Sequence, residues 1–354
     1  MWEKLQRIYN SLSDEESKFI FRKRLSYNLN NEDTEALYEM GTMKEDNDEH
    51  SIYTLVKNRN SYPENQEIIL FGAGRWGGFH RKMYEDYKLG KIVAYCDNNK
   101  ELWGSFKNGI PVISVEDACE KYKKAVFVLE SVFFWEQMKE QLLNLGVSED
   151  RIFGYLYSTH IFGVQYLDEK FMDLVSEEGV FIDAGCLDLG DTRGYINRNP
   201  NYKKVYAFEP DYKNYERCLD RKQKYCCDDE RIEIVNKGLW SCETELRFNE
   251  NAGSSAITEK GTASIQVTSL DQFMENREKV TFIKMDIEGA EMEALHGASK
   301  IIKRDKPDLA ICIYHKNEDI LDIPNYILDL NPDYKLYIRH YSCYKWETVL
   351  YAVM

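Results

Sequence analysis

The chain has 354 residues, enough for two domains, and its 43% hydrophobic and 30% charged residues are typical of a folded, soluble protein. Its 61 acidic and 46 basic residues give a net charge of -15, which argues against a nucleic-acid substrate because such proteins neutralise phosphates with lysine and arginine. No long apolar run, secretory leader or C-x-x-C pair occurs, so we expect a reduced cytoplasmic protein without a membrane span.

The first sixty residues are acidic and show no strand pattern, and we expect a helical appendage over residues 1–60. From residue 61, short apolar runs alternate with helical stretches at the spacing of βαβ units, which predicts a Rossmann-like domain over residues 61–155. Its predicted strands are 68–71, 92–96, 111–113 and 125–129, and its predicted helices are 115–122 and 133–145.

A glycine motif follows the first of these strands. Gly72, Gly74 and Gly77 have the G-x-G-x-x-G spacing between a strand and a helical stretch, and Asp97 ends the next strand. In this context glycines let the backbone approach a pyrophosphate, and the acid accepts hydrogen bonds from ribose. These four residues form a candidate second nucleotide site. The alternative is a Rossmann-like fold that binds nothing and supports the other domain.

A second and more complete alternation predicts a further domain over residues 156–354. Its predicted strands are 180–183, 204–208, 232–236, 281–285, 308–313, 334–339 and 348–353, and its predicted helices are 211–224, 291–302 and 319–330. The connection from Tyr341 to Glu347 is too short for a parallel crossover, so the last two strands form a hairpin. The fold class is therefore α/β, with two Rossmann-like domains, the second built on a seven-stranded sheet with an antiparallel last strand.

Glycine and polar residues follow four strands of the second domain. Asp183 and Gly185 end the first strand, Glu209 follows the second, residues 236–238 follow the third, and Asp286 follows the fourth. Because ligands bind outside the carboxyl ends of parallel strands, these positions predict one binding site. An acid after the second strand is placed to accept hydrogen bonds from both hydroxyls of a ribose.

Three segments at these strand ends, 181–185, 208–210 and 284–291, resemble the FkbM family of S-adenosylmethionine-dependent O-methyltransferases. Residues 268–271 and 295–298 extend the resemblance, which covers residues 165–354. The resemblance implies a class I methyltransferase sheet, S-adenosylmethionine as the cofactor and a small-molecule hydroxyl acceptor.

The resemblance also implies the cofactor contacts. It places Asp183 and Gly185 at the methionine end, Glu209 at the ribose, and Asp286 near the methionine amine or the acceptor. The adenine would lie beside Asn236, Lys237 and Gly238.

The first loop departs from the family pattern, because four residues rather than three separate Gly185 from the next glycine. Either Asp188 or Asp191 then faces the cofactor. We include Asp191 and Thr192 among the expected cofactor-binding residues.

In the first domain, residues 70–74, 95–99 and 109–113 resemble the N-terminal domain of bacterial sugar acyltransferases that bind nucleotide-sugars. This resemblance implies a sugar-containing acceptor and a role in carbohydrate biosynthesis.

Methylation of a hydroxyl is helped by a base within hydrogen-bond reach. His315 follows the fifth strand and His340 lies at the end of the sixth, both at the predicted edge of Asp286. We expect these three residues to be catalytic, since an imidazole pKa of about 6.5 suits proton transfer at neutral pH. A metal is not predicted, because no dense motif such as H-E-x-x-H occurs. Mg2+ or Mn2+ on Asp286, His315 and a neighbouring carboxylate is the alternative.

The sequence therefore predicts a cytoplasmic S-adenosylmethionine-dependent O-methyltransferase that acts on a hydroxyl of a sugar, a nucleotide-sugar or a secondary metabolite. A homo-oligomer is compatible with this prediction. The alternatives are an enzyme that binds NAD or a nucleotide-sugar through the N-terminal glycine motif, and a non-catalytic scaffold with the methyltransferase fold.

Overall fold

The computed structural model describes residues 2–31, 33–41, 52–63, 65–74, 81–131, 134–154, 165–168, 170, 178–248, 263–342 and 344–354. The chain divides into two compact units. The N-terminal unit comprises Asn30–Ile161 and Ser342–Tyr344, and the C-terminal unit comprises Met1–Leu29, Phe162–Tyr341 and Lys345–Met354. The predicted appendage of residues 1–60 is thus divided between the two units.

The elements alternate as the βαβ pattern predicts. The helices are α1 (Trp2–Ser11), α2 (Glu15–Leu29), α3 (Thr34–Gly41), α4 (Ile52–Lys57), α5 (Arg81–Asp86), α6 (Val115–Lys121), α7 (Trp135–Asn144), α8 (Gly190–Arg198), α9 (Tyr212–Tyr225), α10 (Leu270–Phe273), α11 (Glu291–His296), α12 (Ser299–Asp305) and α13 (Asp319–Leu330). Among the described residues, no helix has both the length and the apolar character needed to cross a membrane.

The strands of the N-terminal unit are β1 (Glu67–Phe71), β2 (Lys91–Cys96), β3 (Phe106–Lys107), β4 (Ile110–Ile113), β5 (Val126–Leu129) and β6 (Ile152–Gly154). They form one sheet in the order β3-β4-β2-β1-β5-β6, in which only the β3–β4 pair is antiparallel. Along β1, Ile68 and Leu70 are buried on one face, and Ile69 and Phe71 are buried on the other. Burial on both faces is typical of a parallel sheet covered by helices.

The strands of the C-terminal unit are β7 (Val180–Ala184), β8 (Lys204–Phe208), β9 (Ile232–Val235), β10 (Gly238–Leu239), β11 (Thr244–Phe248), β12 (Ala263–Thr268), β13 (Phe282–Met285), β14 (Asp308–Cys312), β15 (Lys335–His340) and β16 (Thr348–Val353). Seven of them form the main sheet in the order β15-β16-β14-β13-β7-β8-β9. Strand β16 runs antiparallel to β14 and β15, and the other neighbours are parallel.

The order of this sheet identifies the edge at which open α/β sheets bind ligands. The chain proceeds from β7 to β8 and β9 on one side, and β13 and β14 lie on the other side. The boundary between β7 and β13 is therefore the topological switch point, where open α/β sheets bind ligands. Phe181 on β7 and Phe282 on β13 stack with their ring centroids 4.8 Å apart and hold the two strands together below this edge.

The prediction of one helix over residues 291–302 is wrong, because the structure has two helices here, α11 and α12. The carboxylate of Asp271 accepts hydrogen bonds from the backbone N–H groups of Lys300 (3.0 Å) and Ile301 (2.9 Å), and its own N–H donates to the carbonyl of Gly297 (2.7 Å). A distant residue thus caps the start of α12. The small sheet β10-β12-β11 was also not predicted.

Helices α1 and α2 belong to the C-terminal unit and pack on α13 and on the edge strand β15. Arg339 on β15 forms ion pairs with Asp14 (2.6 Å) and Glu16 (3.2 Å). Ser17 on α2 accepts a hydrogen bond from the backbone N–H of Ile338 (2.9 Å). Helix α2 therefore covers a sheet edge that would otherwise present unpaired backbone groups.

We expect Phe21→Ala to lower the free energy of unfolding by about 3–5 kcal/mol, because the Phe21 side chain is 2% exposed and its removal leaves a cavity. Urea unfolding followed by circular dichroism measures this change. Leu29→Ala on the same helix is the control, since Leu29 is 89% exposed and its loss should cost less than about 0.5 kcal/mol. Equal effects of the two substitutions would show that α2 does not pack on the unit.

Candidate active site

The carboxyl ends of β7, β8, β9, β13 and β14 lie on one edge of the main sheet, because these strands are mutually parallel. The residues predicted after these strands are therefore neighbours. The structure brings most of them to this edge, but their contacts differ from those expected.

A buried lysine organises the centre of the edge. Lys284 on β13 is 1% exposed, and its Nζ lies 3.2 Å from Asp183 Oδ1, 3.2 Å from Asp191 Oδ2 and 2.8 Å from the carbonyl oxygen of Gly185. Burial lowers the pKa of Lys284, but nearby carboxylates outweigh burial and hold it well above its ordinary value. Lys284 was not predicted as a site residue, although a lysine within an apolar buried strand is itself a signal.

Two of the predicted cofactor-binding residues, Asp183 and Thr192, make hydrogen bonds within the protein beside Lys284. Asp183 Oδ2 accepts a hydrogen bond from Thr192 Oγ1 at 2.7 Å, and neither residue has exposed surface. Asp183 and Thr192 therefore position Lys284 and the loop above it.

Gly185 is required by the neighbouring backbone. Its φ is +77°, and a Cβ atom at this position would overlap the carbonyl oxygen of Asp286. The structure thus shows a second reason for a glycine here, which is the close approach of the neighbouring strand end.

The two acids of the longer first loop make different contacts. Asp188 accepts a hydrogen bond from the N–H of Gly190 (3.0 Å) and pairs with Arg221 (2.6 Å). Asp191 instead pairs with Lys284 at the strand edge. Leu187 and Leu189 take left-handed backbone conformations to make this turn, with φ of 48° and 63°.

Glu209 lies at the end of β8 and is held rigidly. Its Oε2 accepts a hydrogen bond from the N–H of Leu187 (3.1 Å), and its Oε1 accepts one from the N–H of Asp211 (2.9 Å). Burial raises the pKa of Glu209 to about 7, although both N–H donors favour the charged form.

The residues after β9 lie beside Glu209. Asn236 Nδ2 donates to the carbonyl oxygen of Glu209 at 2.9 Å, which ties the ends of β8 and β9 together. Gly238 is buried in β10. The side chain of Lys237 forms an ion pair with Glu243 at 2.7 Å on the surface. Only the backbone of Lys237 therefore lies at the end of β9.

Asp286 lies at the end of β13 between two tyrosines. Its Oδ2 accepts a hydrogen bond from Tyr166 (2.9 Å), and its Oδ1 accepts one from Tyr314 (3.3 Å). Its side chain is 27% exposed. Burial raises the pKa of Asp286, but His315 and Lys284 outweigh burial and hold it below its ordinary value. Tyr166, 120 positions earlier in the chain, carried no sequence signal.

His315 lies among three carboxylates. Its Nδ1 is 3.0 Å from Glu291 Oε1, and its Nε2 is 3.5 Å from both Asp286 Oδ1 and Glu288 Oε2. Burial lowers the pKa of His315, but the carboxylates outweigh burial and raise it to about 9. When no metal ion is bound, the imidazole of His315 therefore carries a proton and a positive charge at neutral pH. The expected pKa of about 6.5 does not apply to it.

His340 does not lie beside His315 and its three carboxylates. It ends β15, which is separated from β13 by β16 and β14, and neighbouring strands are about 4.8 Å apart. Its ring is 1% exposed, and its Nδ1 lies 2.8 Å from Thr348 Oγ1.

In the N-terminal unit, the predicted nucleotide motif is held by its own contacts. Asp97 Oδ2 accepts a hydrogen bond from the N–H of Ala73 (2.6 Å), and Asp97 Oδ1 accepts one from Asn99 (2.8 Å). Gly72 has φ of +116° and passes close to the carbonyl oxygen of Glu130. Gly77 lies outside the described residues.

Two family models match the chain. Residues 187–336 match the methyltransferase FkbM domain, and residues 64–153 match the C2185-like, N-terminal domain. No curated protein sequence matches the chain significantly.

Several solved structures are similar. Methyltransferase FkbM from Methylobacillus flagellatus KT has 19% identity and a TM-score of 0.52, and the match covers 92% of this chain and 100% of that one. Fibrillarin from Aeropyrum pernix, solved with S-adenosyl-L-methionine, has 10% identity and a TM-score of 0.33 over 51% of this chain and 69% of its own. The methyltransferase PaMTH1 from Podospora anserina, bound to S-adenosylhomocysteine, has 10% identity and a TM-score of 0.31 over 49% and 70%.

The sheet order and the matched domain define a class I methyltransferase fold in the C-terminal unit. The chain carries an FkbM methyltransferase domain and is an S-adenosylmethionine-dependent methyltransferase. The predicted FkbM resemblance is therefore confirmed.

We expect Lys284→Met to lower the free energy of unfolding by about 3–5 kcal/mol, because it leaves Asp183 and Asp191 at a buried site without their cation. Lys237→Met removes an exposed pair and should cost less than about 0.5 kcal/mol. Both values come from urea unfolding of the full chain. Wild-type stability in Lys284→Met would rule out the ion pairs as the anchor of the edge.

Proposed function

We propose that the C-terminal unit binds S-adenosylmethionine across the ends of β7, β8 and β9 and methylates a hydroxyl group of a small molecule. The observation that carries this proposal is the fixed Glu209 carboxylate beside the switch point of a methyltransferase sheet. The acidic cluster around Asp286 lies on the other side of that point.

The Glu209 carboxylate fits the ribose of the cofactor. Each oxygen accepts one backbone N–H, and a carboxylate oxygen has room for a second donor. The side chain of Asn214 also donates to this carboxylate, and the ribose hydroxyls would donate to the same two oxygens. Asn236 supports this placement because it fixes the backbone of Glu209.

In this proposal, the residues of the first loop shape the cofactor site and do not take part in the reaction. Gly185 lets the loop pass over the end of β13, and Lys284 fixes both ends of the turn through Asp183 and Asp191. The methionine end of the cofactor would lie along this loop, with Asp191 as its nearest carboxylate.

When bound, S-adenosylmethionine supplies a methyl group whose bond to sulfur breaks as the acceptor oxygen bonds to it. The hydroxyl proton then needs an acceptor on the protein, and we assign Asp286 to this role. Its carboxylate is oriented by Tyr166 and Tyr314 and is partly open to solvent. The positive charge of His315 stabilises the ionised form of Asp286.

The acceptor class is proposed from the resemblances stated above. Carboxylates and tyrosine hydroxyls around Asp286 suit a polar acceptor with several hydroxyl groups, such as a sugar, a nucleotide-sugar or a polyhydroxylated secondary metabolite.

We expect Glu209→Gln to weaken S-adenosylmethionine binding by about 10- to 100-fold, because charge-assisted hydrogen bonds to ribose are worth about 1.5–3 kcal/mol each. Wild-type affinity should also fall by up to about tenfold per pH unit below pH 7, as the carboxylate takes up a proton with falling pH. Glu209→Gln should lose this pH dependence. Titration calorimetry from pH 5.5 to 8 measures both effects.

Gly74→Asp in the N-terminal unit is the control for this experiment. It places a negative charge in the other glycine loop, at a position with open space around it, and should leave the affinity for S-adenosylmethionine unchanged. Unchanged affinity in a folded Glu209→Gln protein, or loss of affinity in folded Gly74→Asp, would contradict the proposed site.

A further inference from the structure

The cluster around His315 contains buried polar atoms without hydrogen-bond partners. Among the described residues, neither ring nitrogen of His315 forms a hydrogen bond of good geometry, although Nδ1 lies 3.0 Å from Glu291 Oε1 and the side chain is 9% exposed. Glu291 is 1% exposed, and its Oε1 accepts a hydrogen bond from the N–H of Ile287 at 2.9 Å, while its Oε2 makes none. Unsatisfied buried polar atoms in one place indicate a missing ligand.

The charge at this edge is also unbalanced. Asp286, Glu288 and Glu291 surround His315, and the nearby ammonium of Lys284 is already paired with Asp183 and Asp191, as described above. The buried carboxylate of Glu347 also interacts with Asp286 and His315, so acidic side chains outnumber cationic ones in the described part of this edge. Buried carboxylates in excess are normally paired or bind a metal ion.

The donor atoms lie close enough together for small shifts of the side chains to place them around one cation. One ligand atom from each of Asp286, Glu291 and His315 can be chosen so that all three lie within 4.8 Å of one another. Adjacent ligands of an octahedral ion with bonds of about 2.1 Å are about 3 Å apart, and opposite ligands are about 4.2 Å apart. Two carboxylates and one imidazole form an oxygen-rich set that suits Mn2+ or Mg2+.

We propose that Asp286, Glu291 and His315 form a binding site for one divalent cation, Mn2+ or Mg2+, which takes the place of the proton on the His315 imidazole and releases that proton to solvent. Three protein ligands leave positions open on an octahedral ion. If the proposed function holds, the acceptor oxygen would take an open position, and the cation would lower the pKa of its hydroxyl group, whose proton would pass to the carboxylate oxygen of Asp286 that does not bind the ion. Cation binding itself does not depend on that function.

The test is Mn2+ binding to the full chain after removal of metals with a chelator. The electron paramagnetic resonance signal of free Mn2+ and titration calorimetry should show one ion per chain. Glu291→Gln keeps the shape of the side chain and should weaken Mn2+ binding by at least about 10- to 100-fold, which is the cost of losing an outer-shell partner of a metal site. Glu293→Gln on the same helix is the matched control, because Glu293 is half-exposed and lies outside the cluster, and its affinity should equal that of the wild type. If Glu291→Gln does not fold, His315→Gln should show the same loss.

Absence of stoichiometric Mn2+ or Mg2+ binding would overturn the site, as would equal binding by the wild type and Glu291→Gln, or binding of Zn2+ alone. Titration of the metal-free protein with S-adenosylmethionine separates this result from the proposed function. Cofactor binding without Mn2+ binding would overturn only the cation site, whereas Mn2+ binding without cofactor binding would overturn only the proposed function.

Discussion

The buried ammonium group of Lys284 is the constraint on which the strand edge depends. One cation holds Asp183 on β7, Asp191 on α8 and the carbonyl of Gly185, and so joins two neighbouring strands to the helix that follows the first loop. A buried ion pair adds little net stability but is costly to break. Lys284 therefore fixes geometry, and the close passage of Gly185 over Asp286 follows from it.

The edge has two chemically different sides. Towards β8 and β9, the Glu209 carboxylate is fixed by backbone N–H groups, and Asn236 binds its backbone carbonyl. Towards β13 and β14, carboxylates surround His315, and tyrosine hydroxyls bind Asp286. In our proposal, the first side recognises the cofactor and the second side recognises the acceptor. The switch in strand order separates the two functions while keeping them next to each other.

The strands of the main sheet were predictable from sequence to within one residue, because apolar β-runs end in polar residues at the sheet edge. Asp183 and Glu209 were found in this way. Contacts between distant segments were not predictable. The sequence placed His340 at the correct edge but could not give its distance from the cluster, which depends on the position of β16. The partners of Lys284 and the contact of Tyr166 likewise exist only after folding.

A crystal structure of the full chain with S-adenosylhomocysteine tests most directly whether the C-terminal edge is the cofactor site. The account predicts the ribose hydroxyls within hydrogen-bond distance of Glu209, the adenine beside residues 236–238 and the sulfur on the side of Asp286. A nucleoside bound instead at Gly72 and Asp97, or one bound at the C-terminal edge without contact to Glu209, would contradict it.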